Sequence, residues 1–197
     1  MNMEHRISIL GYGHAGASIA ATLEKAGNAI TVGLRNPGKL DGAVSIEEAI
    51  KASDIVIVAL PYDAGYEVAR QYSSELAGKI VIDMMNPLKA DLSGFNTFNG
   101  NSGAEHVQQL LEDSTIIETF NHADAPVLAN PRGALQFVVG NDASSVDTVV
   151  AIVKDAGFDA QGITDLSKTR ELEAFAYFWI YFTAMQRKNM DLHLKLV

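Results

Sequence analysis

Residues 7–16 read Ile-Ser-Ile-Leu-Gly-Tyr-Gly-His-Ala-Gly, and this stretch decides the fold. The short apolar run from Ile7 to Leu10 ends at a glycine, which is typical of a buried strand. An alanine-rich segment follows, in which Ile19 and Leu23 are one helical turn apart, so it predicts a helix packed closely on a sheet. A second apolar run, Ala29 to Leu34, completes a β-α-β unit.

The glycines between this strand and this helix have the spacing Gly-x-Gly-x-x-Gly, which in that context is typical of a dinucleotide site. Gly11 allows a tight turn, Gly13 lets a pyrophosphate approach the backbone, and Gly16 lets the helix pack on the strand. Free N–H groups at the start of the helix bind the phosphates. The alternative is an ordinary glycine-rich turn. The predicted contacts are Gly11, Tyr12, Gly13, His14, Ala15 and Gly16.

The end of the second strand indicates which nucleotide is bound. An NAD site usually has Asp or Glu there, to bind the ribose 2′-hydroxyl. This chain has no acid in its Gly33–Pro37 segment and has Arg35 instead. A guanidinium binds a 2′-phosphate through two hydrogen bonds, and Lys39 adds a second positive charge. The sequence therefore favours NADP(H) over NAD(H), unless Arg35 is only a solvated surface residue. The predicted contacts are Leu34, Arg35, Asn36 and Lys39.

Apolar strands and helices alternate along the rest of the chain, which predicts an α/β fold with a doubly wound, mostly parallel sheet, the Rossmann fold. We expect one NADP-binding domain over residues 1–197, with a C-terminal helical segment over residues 168–197 that packs on the domain or on a partner subunit. The loop Ser93–Gly103 is long and rich in Gly, Asn and Ser, as lids often are. Further strands are predicted at Ile55–Leu60, Ile80–Ile82, Thr115–Phe120 and Leu135–Val139. A helix is predicted to start at Ser45, because Ser45 and Glu48 have the spacing of a capping box, and another is predicted over Ala64–Leu76.

Composition excludes several functions. The 197 residues carry 15 basic and 24 acidic side chains, a net charge of −9, which disfavours nucleic acid and anionic membranes as partners. There are 0 cysteines, so thiol catalysis is excluded, and the five histidines have no metal-ligand spacing. The N-terminus Met1–His5 has no signal-peptide pattern. We expect a cytoplasmic protein that binds no metal.

The C-terminal segment has Phe175, Phe178, Trp179 and Phe182 at helical spacing. These aromatic residues are either core packing or part of a subunit interface, where aromatics are enriched. We expect a homodimer that uses this helix or its neighbours.

Six motifs follow one another along the chain: Ile9–Gly16, Val32–Pro37, Val58–Tyr62, Val81–Leu88, Phe120–Asn121 and Leu166–Glu173. Together they resemble the coenzyme F420-dependent NADP oxidoreductase family, whose fold also occurs in the cytosolic domain of transmembrane metalloreductases. The resemblance implies that NADP lies across the first two strands, with its nicotinamide near Pro61 and Asn86, and that the second substrate is a flat hydride carrier, the deazaflavin coenzyme F420. The implied nicotinamide contacts are Leu60, Pro61, Tyr62, Asn86 and Pro87.

One segment departs from the family pattern where the second substrate should bind. The family commonly reads Lys-Ala-Phe-Asn-Thr where this chain has Glu-Thr-Phe-Asn-His at residues 118–122. The acceptor is therefore F420 or another molecule, such as a flavin, a quinone or ferric iron. A non-catalytic NADP-binding regulatory protein is the alternative from another class. His122 is a candidate catalytic acid or base, or else a wall of an acceptor slot shared with Tyr62 and Leu88.

Overall fold

The computed structural model describes residues 4–196. The termini of the predicted domain, including the first three residues of the N-terminal segment, lie outside this range. The strands are β1 (Arg6–Leu10), β2 (Ala29–Leu34), β3 (Val44–Ser45), β4 (Ile55–Val58), β5 (Ile80–Asp83), β6 (Thr115–Glu118), β7 (Leu135–Gly140) and β8 (Asp159–Ile163). The α-helices are α1 (His14–Lys25), α2 (Ile46–Ala52), α3 (Tyr62–Gln71), α4 (Ser73–Leu76), α5 (Gly103–Leu110), α6 (Ala125–Ala129), α7 (Ala143–Asp155) and α8 (Thr169–Ile180).

The described strands form one sheet in the order β3-β2-β1-β4-β5-β6-β7-β8. The strands from β1 to β6 pair in parallel, β7 runs antiparallel to β6, and β8 is parallel to β7. The predicted doubly wound, mostly parallel α/β fold is confirmed. The chain builds outward from β1 in one direction and from β4 in the other. A crevice for a ligand therefore opens between the carboxyl ends of β1 and β4.

Both faces of the sheet are covered, which explains why the predicted strands are apolar without alternation. All four residues of β4 are buried. Ile55 and Ile57 belong to an apolar cluster with helices α1, α6 and α7, whereas Val56 and Val58 belong to a second cluster with helices α2, α3 and α5. The two clusters hold β1 and β4 in place. They thereby determine where the crevice lies.

The C-terminal segment differs from the long helix predicted from Lys168 onward. A 3₁₀ turn, Leu166–Lys168, precedes α8, and α8 continues as a π-helix over Tyr181–Arg187. Thr183 lies in this wider part, and its buried hydroxyl donates to Asp124 Oδ2 at 2.8 Å. A side chain that bonds beside the helix ladder in this way favours a local change of winding. Residues 188–196 form neither helix nor strand. Among residues 4–196, no helix has the length and apolar character needed to cross a membrane.

The structure also has elements that the pattern does not predict. The helix expected over residues 64–76 starts earlier and is divided into α3 and α4 at Tyr72. The two-residue strand β3 and the short helix α6 lie in segments without a clear period. The predicted start of α2 is confirmed, because Ser45 and Glu48 form a reciprocal capping box.

Candidate functional site

Two glycines of the motif are required by close backbone contacts. Gly11 has φ +101°, and a Cβ on it would lie 2.5 Å from the carbonyl oxygen of Ala59. A Cβ on Gly16 would lie 2.5 Å from the carbonyl oxygen of Gly11. Larger residues would push α1 away from the loop and from the end of β4. These contacts place the first turn of α1 at the crevice.

Gly13 has a different environment, because a Cβ on it would meet no atom within 4 Å. It is the N-cap of α1, has extended backbone and makes no side-chain cap, and the first turn of the helix contains no acidic residue. The first N–H groups of a helix have no partner within the helix. Open space, free donors and the positive end of the helix dipole together fit a phosphate group.

Next to this helix end lies a cleft of about 400 Å³ at the carboxyl ends of β1 and β2. Residues from three separate segments of the chain, all predicted to bind the nucleotide, meet in its lining. Arg35 and Lys39 are exposed at this cleft, and neither forms a salt bridge within residues 4–196. Both cations are thus free to bind a phosphate. The lining residues are Gly11, Tyr12, Gly33, Leu34, Arg35, Asn36, Lys39, Ile46, Leu60 and Val68.

Two asparagine amides meet beyond the ends of β5 and β6. Asn86 is half-buried, and its Nδ2 donates to the backbone carbonyl of Asn121 at 2.7 Å. Asn121 Nδ2 donates to Asn86 Oδ1 at 3.3 Å and also to the carboxylate of Glu118. The structure therefore joins Asn86 and Asn121, and these contacts fix the orientation of both amides. We call this pair the amide rim.

Tyr62 lies under the Ser93–Gly103 loop. It is 7% exposed, and its hydroxyl lies 3.2 Å from the carbonyl of Gly103 and 3.1 Å from Nδ1 of His106. Its ring stacks on Phe98 with 5.2 Å between centroids, and burial raises its pKa. The loop predicted as a cover is thus held by stacked rings, and also by the backbone N–H of Asn96, which donates to the carbonyl of Pro87 at 2.7 Å.

His122 is 5% exposed and is not among the residues that line the 400 Å³ cleft. Its Nδ1 lies 3.1 Å from Asn121 Oδ1, and its ring packs near those of Phe137 and Phe175. Burial lowers the pKa of His122 to about 4. The imidazole is therefore neutral at neutral pH, which does not favour a role as a general acid.

Three buried carboxyl groups near the amide rim are not predicted by any pattern in the sequence. Asp83 and Glu118 pair in register at the ends of β5 and β6. Glu173 is buried on α8, near enough for its charge to act on Glu118 and for that of Asp83 to act on it. Burial raises the pKa of Asp83 to about 7. Burial and the charge of Asp83 raise the pKa of Glu173 to about 8. Within residues 4–196, no group of three or more His, Asp or Glu side chains is arranged to bind a metal ion.

Comparisons with known proteins identify relatives of this chain. The family model of NADP oxidoreductase, coenzyme F420-dependent, matches residues 6–87, which contain the glycine motif, Arg35 and Asn86. The F420-dependent NADP reductase of Methanocaldococcus jannaschii is 30% identical, and the match covers 86% of this chain and 88% of that protein.

Two further proteins are similar. Metalloreductase STEAP3 of Rattus norvegicus is 29% identical over 86% of this chain, but the chain spans only 36% of that protein. The crystal structure of a candidate F420-dependent NADP reductase from Arthrobacter sp. FB24 superposes with a TM-score of 0.86 at 22% identity, over 98% of this chain and 99% of the other, and this shows the fold. The chain therefore belongs to the coenzyme F420-dependent NADP oxidoreductase family and is an NADP(H)-dependent oxidoreductase.

Proposed function

We propose that this protein transfers a hydride between NADP(H) and a flat flavin-like carrier, with coenzyme F420 as the first candidate. The observation that carries the proposal is the cleft in which Arg35 and Lys39 adjoin the glycine turn and the uncapped start of α1. This arrangement offers donors and positive charge for a pyrophosphate and a 2′-phosphate. NADPH, when bound, supplies the hydride, so the protein has only to bind and orient the two partners.

We infer that the nicotinamide half lies between Leu60, Pro61 and the amide rim. An amide nitrogen carries two donors, and the backbone carbonyl of Asn121 accepts only one from Asn86 Nδ2. The second donor of Asn86 is suited to the carboxamide of the nicotinamide. Pro87 and Tyr62 are buried. We therefore expect them to affect the nicotinamide ring only indirectly, through the backbone that they support.

The acceptor would stack on the free face of the nicotinamide. Positioning two rings at about 3–3.5 Å accounts for most of the catalysis in such a transfer. The F420-dependent relative supports the deazaflavin, and the metalloreductase relative supports ferric chelates as a second candidate. The experiment is NADPH oxidation with coenzyme F420, FMN, a quinone and a ferric chelate. Turnover with F420 supports the proposal, and tight NADP⁺ binding without any turnover supports a regulatory protein.

We further propose that the chain is one domain that forms a homodimer in the cytoplasm. The end of the C-terminal segment exposes apolar side chains, with Phe178 at 59% and Met185 at 54%. Beside them an apolar groove of about 260 Å³ lies between α8 and the last two strands, lined in part by Ile163 and Phe175. A second copy of the chain that covers this face would shield the exposed side chains and the groove from water. The cytoplasmic location is supported by the 0 cysteines.

A further inference from the structure

Asp83, Glu118 and Glu173 form a cluster of buried carboxyl groups beneath the amide rim. They are 2%, 1% and 2% exposed, respectively. Asp83 and Glu118 lie side by side on parallel strands, in register, so their side chains leave the same face of the sheet. Glu173 comes from α8 and reaches the same face, where its Oε1 accepts from the backbone N–H of Ala104 at 3.2 Å.

The charged groups that act on this cluster are mostly acidic. Burial raises the pKa of Glu118, and the charges of Glu173 and Asp83 raise it further. Burial also raises the pKa of Glu173, and the charges of Asp83 and of Glu105 on α5 add to that effect. Tyr62 faces the cluster from α3 and is neutral, since burial and these carboxylates raise its pKa. Arg170 is held by Glu105, at 2.7 Å. Three ionised carboxylates without a cation would be strongly unfavourable in this environment.

Two oxygens of the cluster are also left without a hydrogen bond. Glu118 Oε1 accepts from Asn121, but its Oε2 is buried without a partner, and so is Oε2 of Glu173. Buried polar atoms in native proteins are nearly always paired. One proton bound by this pair would reduce the repulsion and give the unpartnered oxygens a donor.

We propose that Glu118 and Glu173 hold one proton between them, and that Glu118 is thereby a positioning residue for the amide rim. The proton occupies the Oε2 side of the pair and leaves Oε1 of Glu118 as an acceptor. That acceptor fixes the amide of Asn121, and Asn121 fixes Asn86 through two hydrogen bonds. Glu118 thus acts on the nicotinamide only through these amides. The positioning part rests on the proposed placement of the nicotinamide at Asn86.

Two substitutions of Glu118 test whether it positions Asn121 or only supports the fold. Glu118→Gln keeps an acceptor for Asn121 and supplies the donor N–H groups that replace the proton. Glu118→Met keeps the length of the side chain but removes the acceptor. The exposed Glu112 provides a control, Glu112→Gln. The ligands are NADP⁺ and 2′-phospho-ADP-ribose, which lacks the nicotinamide, both measured by calorimetry.

Glu118→Met should weaken NADP⁺ binding by about 3–10-fold, the usual range for one hydrogen bond, and leave 2′-phospho-ADP-ribose binding unchanged, which also reports an intact fold. Glu118→Gln and Glu112→Gln should bind both ligands like the wild type. Equal losses for both ligands, or no loss of NADP⁺ binding in Glu118→Met, would overturn the positioning role.

Infrared spectroscopy tests the proton without any ligand. At neutral pH the wild type should show the carbonyl band of a protonated carboxylic acid, and this band should lose intensity in Glu118→Gln but not in Glu112→Gln. A spectrum unchanged by Glu118→Gln would overturn the shared proton. If the wild-type protein binds NADP⁺ no better than 2′-phospho-ADP-ribose, the proposed placement of the nicotinamide is wrong. The infrared result would still show whether Glu118 and Glu173 share a proton.

Discussion

The carbonyl oxygen of Gly11 lies 2.5 Å from the position that a Cβ on Gly16 would occupy. The loop and the first turn of α1 are therefore in direct backbone contact. Gly13, between them, has no atom within 4 Å of its missing Cβ. The three glycines of one motif thus have two different physical roles, since two allow close packing and one leaves space for a ligand.

This difference gives a prediction for matched glycine variants. Gly16→Ala should lower the free energy of unfolding by about 1–3 kcal/mol, as expected for overpacking. Gly13→Ala should leave it unchanged or raise it by about 0.4–1 kcal/mol, because φ −72° suits alanine, yet it should weaken NADP⁺ binding. Denaturant unfolding and calorimetry measure the two effects. Destabilisation by Gly13→Ala without loss of NADP⁺ binding would contradict the assignment.

Arg35 should determine the choice between NADPH and NADH. Arg35→Ala should cost roughly 1.5–3 kcal/mol of NADPH affinity, the value of a hydrogen bond to a charged group, and should barely change NADH affinity. Arg6→Ala is the control, because Arg6 begins β1 at the amino-terminal ends of the strands, opposite the cleft, where it lies 3.6 Å from Asp54. Calorimetry that gives equal losses for both nucleotides would refute this role.

His122 should not titrate at neutral pH. Its pKa is lowered from 6.5 to about 4 by burial, so the fold favours the neutral ring. Its contribution to stability is complete above pH 6.5 and is lost as the pH falls toward 4. The melting temperature of His122→Asn should therefore fall less steeply than that of the wild type in this range.

The kinetics of His122→Asn should also be those expected if His122 does not titrate at neutral pH. His122→Asn should alter the KM for the acceptor more than the affinity for NADPH, and the pH–rate profile should contain no step that this substitution removes. Loss of kcat for every acceptor, with binding intact, would identify His122 as a catalytic acid instead.

The buried carboxyl groups give the opposite pH dependence. The pKa of Glu173 is raised from 4.5 to about 8, so the folded state binds more protons than the unfolded chain between these values. The stabilisation is complete below pH 4.5 and is lost as the pH rises through about 8. Asp83→Asn should reduce this loss, because burial and then the charge of Asp83 raise the pKa of Glu173, and the substitution removes that charge. Parallel curves for wild type and variant, from thermal unfolding at several pH values, would contradict this.

The homodimer can be tested with one exposed side chain. Phe178 is 59% exposed, so Phe178→Glu should leave the monomer fold intact while it disrupts an interface on α8. Light scattering at micromolar concentration should give a dimer mass for the wild type and a monomer mass for the variant. Wild-type protein with a monomer mass would refute the dimer.

The cleft proposed for the nucleotide could be predicted because its signals are local. The glycine spacing, the strand before it and Arg35 at the end of the next strand each depend on residues close in sequence. The apolar strands likewise show that the sheet is covered on both faces. These features led to the correct fold and to a cleft in which Arg35 and Lys39 meet the glycine turn.

The acceptor half could not be predicted in the same way, because it depends on contacts between distant segments. Tyr62 bonds to His106, which is 44 residues away, and Ala104 bonds to Glu173, which is 69 residues away. Neither pair has a spacing that a pattern could detect. Glu118 was noticeable only as an acid where the family has a base, and its buried partners became apparent only in the fold.

In the proposed reaction, hydride passes from NADPH to a deazaflavin held beside the amide rim. The most direct measurement incubates the protein with NADPH that carries deuterium at C4 of the nicotinamide, together with coenzyme F420, and analyses the products by mass spectrometry. Reduced F420 should carry the deuterium, and it should form at a rate that depends on the amount of protein. NADPH oxidised only with other acceptors, or reduced F420 that contains no deuterium from either C4-labelled epimer of NADPH, would contradict it.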